Sequence, residues 1–185
     1  MLDAPVSGGE PKAIDGTLSV MVGGDKGIFD EVVGVLDAVA ASVVHVGPIG
    51  AGNTAKLANQ VVVALNIAAV SEALVLAQKA DVDPAAVVAA IRGGLAGSAV
   101  LEAKAPMMLA HDFKPGFRIN LHIKDLLNAL DTSHEVGAPL LLPAAVLEMF
   151  TALKAGGHEG DDHSGLVQFY ESIASTTLDP TIPTT

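Results

Sequence analysis

Cysteine and tryptophan are both missing from the 185 residues, and tyrosine occurs once. Without cysteine there is no disulfide framework and no thiolate metal site, which suits a reducing compartment; the cytoplasm is the expected location. Aromatic residues make up 3% of the chain while hydrophobic residues reach 50%. The core must therefore be built from Ala, Val, Leu and Ile. Positive charge is also scarce, since 10 Lys and Arg face 21 Asp and Glu for a formal charge of −11. That balance repels phosphate backbones and anionic lipid, so neither nucleic acid nor a membrane surface is an expected partner. No basic stretch followed by an apolar one opens the chain, so no secretory leader is expected. The six histidines fall into no HExxH pattern, and neither G-x-S-x-G nor a phosphate-binding P-loop occurs, so no metal site is expected.

One apolar run is present, "VVVALNIAAVSEALVLA" from Val61 to Ala77, and it contains Asn66, Ser71 and Glu72. An acid at the centre of a bilayer costs about 2.5 to 3.5 kcal/mol, so the run reads as a buried helix of a soluble fold.

Strand and turn signals fill the chain from Leu2 to Gly47. "LDAPVS" reads as a strand, "SGGEPKAIDG" as a loop, and "TLSVMVGG" as a strand alternating Leu18, Val20 and Val22. "GIFDEVVGVLDAVA" spaces Phe29, Val32, Val33, Leu36 and Val39 as a helix does, and "SVVHVG" is a further strand. This is a β-β-α-β piece, too small to cover its own sheet, and it needs more sheet or a partner.

Beyond Gly47 only helical signals remain, so the fold class is mainly α. Gly50 to Lys79 reads as one helix of about 28 residues and about 42 Å, apolar on nearly every side and expected to be enclosed by other helices. Asp83 caps the next helix with Pro84 in its first turn, and Ser98 caps "AVLEAKAPMMLA", which Pro106 should end or kink. "RINLHIKDLLNALDTSHEVG" repeats Leu121, Ile123, Leu126, Leu127 and Leu130 at helical spacing and stops at Gly137. "LLPAAVLEMFTALKAGG" and "HSGLVQFYESIA" complete the helices, and the proline-broken tail is expected to be disordered. The domains are expected at residues 1–48, 49–175 and 176–185 (the tail).

Three short motifs bear chemistry. Lys56, Asn59 and Gln60 stand at i, i+3 and i+4, on one face of a helix. The positive end of a helix disfavours an ammonium, so a lysine there is moved towards proton exchange with a substrate; a solvated lysine beside a capping turn is the alternative. Ser7, Gly8 and Gly9 end a strand with a hydroxyl and open backbone N–H groups, which suits a carboxylate or phosphate but also an ordinary turn. Phe117, Lys124 and Asp125 lie in "FRINLHIKDLLNAL". The two charges are adjacent and face different directions, so one can bind a ligand while the other holds the helix, unless both merely flank a leucine stripe in solvent.

In fixed order, "DAPVSGGEPKAIDGTLSVMVGG", "GPIGAGNTAKLANQ", "FRINLHIKDLLNALD" and "DDHSGL" closely resemble the β-hydroxyacid dehydrogenase family, from about Asp3 to Glu171. The resemblance implies an all-helical C-terminal dehydrogenase domain around one long helix, preceded here by a β-β-α-β part of a Rossmann-type α/β domain. It implies reduction of a small aldehyde or ketone acid with NAD or NADP in a cleft between the two domains, by a homo-oligomer. The family's G-x-G-x-x-G segment is not in this sequence, which matches the later two-thirds of such enzymes; the chain by itself is expected to be inactive. By matching position, Lys56 is implied as the proton donor to the carbonyl oxygen, and Ser7, Gly8 and Gly9 as the holder of the substrate carboxylate. Asn59 and Asp125 are implied on the substrate side and Phe117 and Lys124 on the cofactor side. Gln60 stands where some branches have asparagine, which weakens its assignment to substrate. "SGGEPKAIDGTLSVMVGGD", "KLANQ", "ALNIAA" and "IRGGLAGS" point to the branch acting on a three-carbon hydroxy-oxo acid; another branch, or a non-catalytic helical oligomerisation module, stands beside it.

Overall fold

The computed structural model describes residues 1–179. The chain divides into two compact units, the first Met1–Gln60 and the second from Val61 onward. Composition changes at the Gly47–Gly52 turn, but the division falls later, because the first turns of the long helix pack on the sheet.

In the first unit β1 (Leu2–Asp3), β2 (Val6–Ser7), β3 (Leu18–Gly24) and β4 (Ala40–Gly47) form one sheet with α1 (Gly9–Ile14) and α2 (Lys26–Leu36). β1 pairs Leu2 with Gly24, and β2 pairs Val6 with Val20, both antiparallel to β3, so the two short strands are one strand interrupted at Ala4 and Pro5. Pro5 cannot donate, but its carbonyl accepts Met21 N–H at 3.0 Å and keeps the ladder in register. β4 takes the other edge of β3 in parallel, through the α2 crossover. Val20, Val22 and Phe29 form the small core, with Leu2, Val33, Leu36, Ala40 and Val43 against them.

Two expectations are corrected here. The segment read as a loop contains α1, because Pro11 is the third helical residue, where its missing N–H would have had no partner anyway. α2 ends at Leu36, and Val39 is exposed.

The long helix α3 (Ala51–Lys79) gives its first turns to the first unit and the remainder to the second. The second unit continues with α4 (Pro84–Ile91), α5 (Ala99–Leu109), α6 (Ile119–Val136), α7 (Leu141–Ala155), a 3₁₀ turn (His163–Leu166) and α8 (Val167–Ala174). Asp83 and Ser98 cap α4 and α5 as their sequences predict, and α6 stops at Gly137. The apolar run of α3 is a core helix: Ala64, Ile67, Ala68, Val70, Leu74 and Val75 pack with Leu101, Met108, Leu126 and Phe150. It is not enclosed on all sides, since Val62 and Leu76 are 58% and 71% exposed.

Three further expectations yield to packing. Pro106 lies inside α5 without ending it, and the carbonyl it deprives of a donor belongs to exposed Glu102, where water can serve. On α6 Leu121 and Leu127 are exposed, while polar His122, Asp125 and Ser133 share the buried face with Ile119, Ile123 and Leu126. The start of the expected disordered tail is fixed: Leu178 is buried, its N–H donates to the buried Glu171 Oε1 at 2.7 Å, and Asp179 N–H donates to Gln78 at 2.9 Å. Glu171 Oε1 also stands 2.9 Å from His111 Nε2. The rest of that tail, 180–185, lies outside the described residues.

Candidate active site

In the first unit, β2 delivers Ser7, which pairs with Ser19 on β3, straight into the start of α1. Gly8 has φ 133°, and a Cβ there would come within 2.6 Å of the Lys12 side chain, so no other residue fits. Gly9 follows at φ 65°. Lys56, the sixth residue of α3, is half-buried, Asn59 is half-buried one turn on, and Gln60 is buried. Asn59 Nδ2 donates to Gln60 Oε1 at 2.9 Å, so Gln60 holds the Asn59 amide.

The charge at the start of α3 differs from the sequence reading. Asp3 accepts Gly50 N–H on Oδ1 and Asn53 N–H on Oδ2, both at 2.7 Å. Burial pushes the Asp3 carboxyl up, but the Gly50 and Asn53 N–H bonds outweigh it and hold the group below its ordinary value. A carboxylate thus sits at the positive end of the helix, where the macrodipole favours an anion. Glycine makes the approach possible: a Cβ on Gly52 would meet Met21 O at 2.5 Å, and one on Gly23 would meet Gly52 N at 2.7 Å.

In the second unit, Phe117 stands on the loop before α6, while Lys124 and Asp125 lie on the helix. The adjacent charges do not diverge as expected: Lys124 Nζ folds back to Asp125 Oδ1 at 3.0 Å, with the lysine side chain 63% exposed and the aspartate 12%. Beneath Phe117 lies a polar cluster that the sequence left without a role. The Asp162 side chain is fully buried; it pairs with Lys104 Nζ at 2.9 and 3.0 Å and accepts Gly116 and Phe117 N–H at 3.0 Å and Ser164 N–H at 2.9 Å. His122 Nδ1 and His163 Nδ1 are 2.9 Å apart, so one carries the shared proton, and both rings pack on Phe117 at 5.8 and 5.3 Å.

Burial pushes the Asp162 carboxyl up, and His163, the Lys104 ammonium and the Ser164 N–H outweigh it, leaving the group at about 2. Burial foremost, then His122 and Lys104, push His163 down to about 3 against the pull of Asp162. At neutral pH His163 is therefore uncharged, and Lys104 is the cation that partners Asp162. The "D-x-S" step at Asp162 is a turn signal readable in sequence, since its side chain caps the 3₁₀ turn through Ser164 N–H. Its link to Lys104, 58 residues away, has no local signal. A cavity of about 270 Å³ beside α3, lined by Asn66, Val70, Leu74, Val88, Ile91 and Leu101 among others, contains none of the candidate site residues.

Residues 50–170 match the family model described as NAD-binding of NADP-dependent 3-hydroxyisobutyrate dehydrogenase. The chain belongs to this family. Residues 1–47 match the NAD binding domain of 6-phosphogluconate dehydrogenase. Among relatives of the 3-hydroxyisobutyrate dehydrogenase family, 2-hydroxy-3-oxopropionate reductase of Escherichia coli (strain K12) is 46% identical over 177 residues, covering 96% of this chain and 61% of that protein. L-threonate dehydrogenase of Cupriavidus necator is 35% identical, covering 94% of this chain and 59% of that protein. The chain thus spans about 60% of the length of these curated relatives. In structure, Mycobacterium tuberculosis 3-hydroxyisobutyrate dehydrogenase with L-serine superposes with a TM-score of 0.84 at 34% identity, covering 91% of this chain and 60% of that one. The corresponding Salmonella typhimurium enzyme gives 0.82 at 33%, covering 91% and 59%.

Proposed function

We propose that this chain carries the substrate and proton-donor part of an NAD(P)H-dependent β-hydroxyacid dehydrogenase that reduces 2-hydroxy-3-oxopropanoate (tartronate semialdehyde) to glycerate. On this reading, residues 1–48 belong to the cofactor-binding domain and residues 49–175 form the substrate and oligomerisation domain. The observation that carries it is Lys56, Asn59 and Gln60 on one side of α3, in a chain 46% identical to a 2-hydroxy-3-oxopropionate reductase.

NADH or NADPH, when bound, supplies the hydride that adds to the aldehyde carbon. The C=O electron pair then moves to oxygen, and the Lys56 ammonium, aimed at that oxygen, gives the proton that completes the alcohol. Asn59, its amide held by Gln60, orients the hydroxyl-bearing carbon. Ser7 and the N–H groups of Gly8 and Gly9 take the carboxylate. The half-buried Phe117 ring and the exposed Lys124 ammonium offer a flat apolar wall and a cation, which suit a nicotinamide face and a phosphate. Asp125 keeps Lys124 in place.

The test joins the chain to the part of the E. coli reductase that lies outside the match. Lys56→Ala should lower kcat roughly a thousandfold, because the proton is needed only as charge develops on oxygen. Lys56→Arg should recover little, since a guanidinium keeps its proton near neutral pH. Near-normal kcat in Lys56→Arg refutes proton donation and leaves Lys56 as a substrate anchor.

A further inference from the structure

We infer that Asp3 is a positioning residue for Lys56: its carboxylate ties the first turn of α3 to the sheet and sets where Lys56 and Asn59 stand relative to the Ser7–Gly9 loop. The inference rests on the reading of Lys56 as proton donor, but its geometry is independent of it. Asp3 pairs with Gly23 on β3, and Ser7 pairs with Ser19 on the same edge of the same strand. Anchor and loop are therefore parts of one interrupted strand, four residues apart.

From that strand Asp3 reaches across 47 and 50 residues of sequence to Gly50 and Asn53, with one carboxylate oxygen on each N–H. Both bonds are charge-assisted, the stronger kind, and together they fix the helix against rotation as well as sliding. The contact is tight on every side. A Cβ on Gly52 would come within 2.8 Å of Asp3 Oδ2, and one on Gly23 within 2.4 Å of Asp3 Oδ1. Lys56 follows Asn53 by three residues, about 4.5 Å of rise and less than one turn, so slack at the Asn53 bond passes to Lys56 almost undiminished.

The carboxylate also occupies the place where the helix start would attract an anion. A substrate carboxylate is thereby left to the Ser7 side, and the carbonyl end is presented to Lys56. An Asn at position 3 would keep one acceptor but turn an NH₂ group against the second N–H, breaking one bond while preserving size.

The ¹⁵N-labelled 185-residue chain tests this without any catalytic step. In Asp3→Asn, amide exchange at Gly50 and Asn53 should quicken about tenfold, the usual size of a lost helix cap. The resonances of Lys56 and of the Asn59 side-chain amide should shift with them. If only Gly50 and Asn53 respond while Lys56 and Asn59 stay in place, Asp3 is a local cap and the inference is overturned. Should the variant not fold, the wild-type chain in acid gives the same answer. As Asp3 protonates, the signals of Gly50, Asn53 and Lys56 should move together with one midpoint below the ordinary carboxylate range, and a stationary Lys56 again overturns it. Failure of Lys56→Ala to lower kcat would strike the proposed chemistry and leave these shifts untouched.

Discussion

Replacing Asp162 by alanine removes one fully buried carboxylate and strands four donors at once: the Lys104 ammonium and the N–H groups of Gly116, Phe117 and Ser164. The Lys104 side chain is 17% exposed, so water reaches it poorly. Breaking a buried pair from one side costs about 3 to 5 kcal/mol, a large share of the roughly 5 to 15 kcal/mol that holds a domain folded. With a urea slope of about 2 kcal/mol per molar, the midpoint should fall by roughly 2 M at pH 7, read by far-ultraviolet circular dichroism. Removing both ends together, as Asp162→Leu with Lys104→Met, should cost less than Asp162→Ala, because no cation is then left unpaired. Amide exchange at Gly116 and Phe117 should quicken in the single variant, since these bonds hold the loop that presents Phe117. A midpoint within about 0.5 M of wild type would refute the reasoning and show that water replaces the carboxylate at little cost.

Acid should destabilise the second unit early. His163 is held down at about 3 against an ordinary 6.5, so the unfolded chain binds the extra proton between those values; the stability is present above 6.5 and drains away as pH falls towards 3. Asp162, held at about 2 against 3.8, adds a second loss below 3.8. Urea midpoints from pH 7.5 to 4 should slope accordingly, with a flatter line in His163→Gln, and an unchanged midpoint over that range contradicts it. Gly52→Ala should cost about 1 to 3 kcal/mol because its Cβ would press on Met21 O at 2.5 Å, whereas Gly34→Ala on exposed α2, with nothing within 4 Å, should gain about 0.5 to 1 kcal/mol. Equal effects of the two substitutions in thermal unfolding would contradict the close approach at Gly52.

What could be read in the sequence is what neighbours in the chain decide. The bounds of α3, the caps at Asp83 and Ser98 and the stop at Gly137 follow from residues within one turn of each event. The clustering of Lys56 with Asn59 and Gln60 follows from helical spacing alone. The bonds that fix the candidate site were invisible, because Asp3 meets Gly50 across 47 residues and Lys104 meets Asp162 across 58. Local rules also misled where tertiary packing outweighed them. The Gly-Gly-x-Pro run promised a loop and contains α1, and the leucine stripe of α6 promised a burial that Leu121 and Leu127 do not have. Lys124 and Asp125 show the limit of arguing direction from backbone spacing, since a four-carbon arm curls back on its own neighbour.

The buried Glu171, held between His111 and the Leu178 N–H, has a practical consequence for anyone attaching a reporter or trimming this protein. Cutting after Ser175 would delete a residue that plugs the core and would take one of the two donors from a carboxylate that water hardly reaches. A fluorescent tag, a purification handle or a designed fusion should therefore begin beyond Asp179, whose own N–H still rests on Gln78.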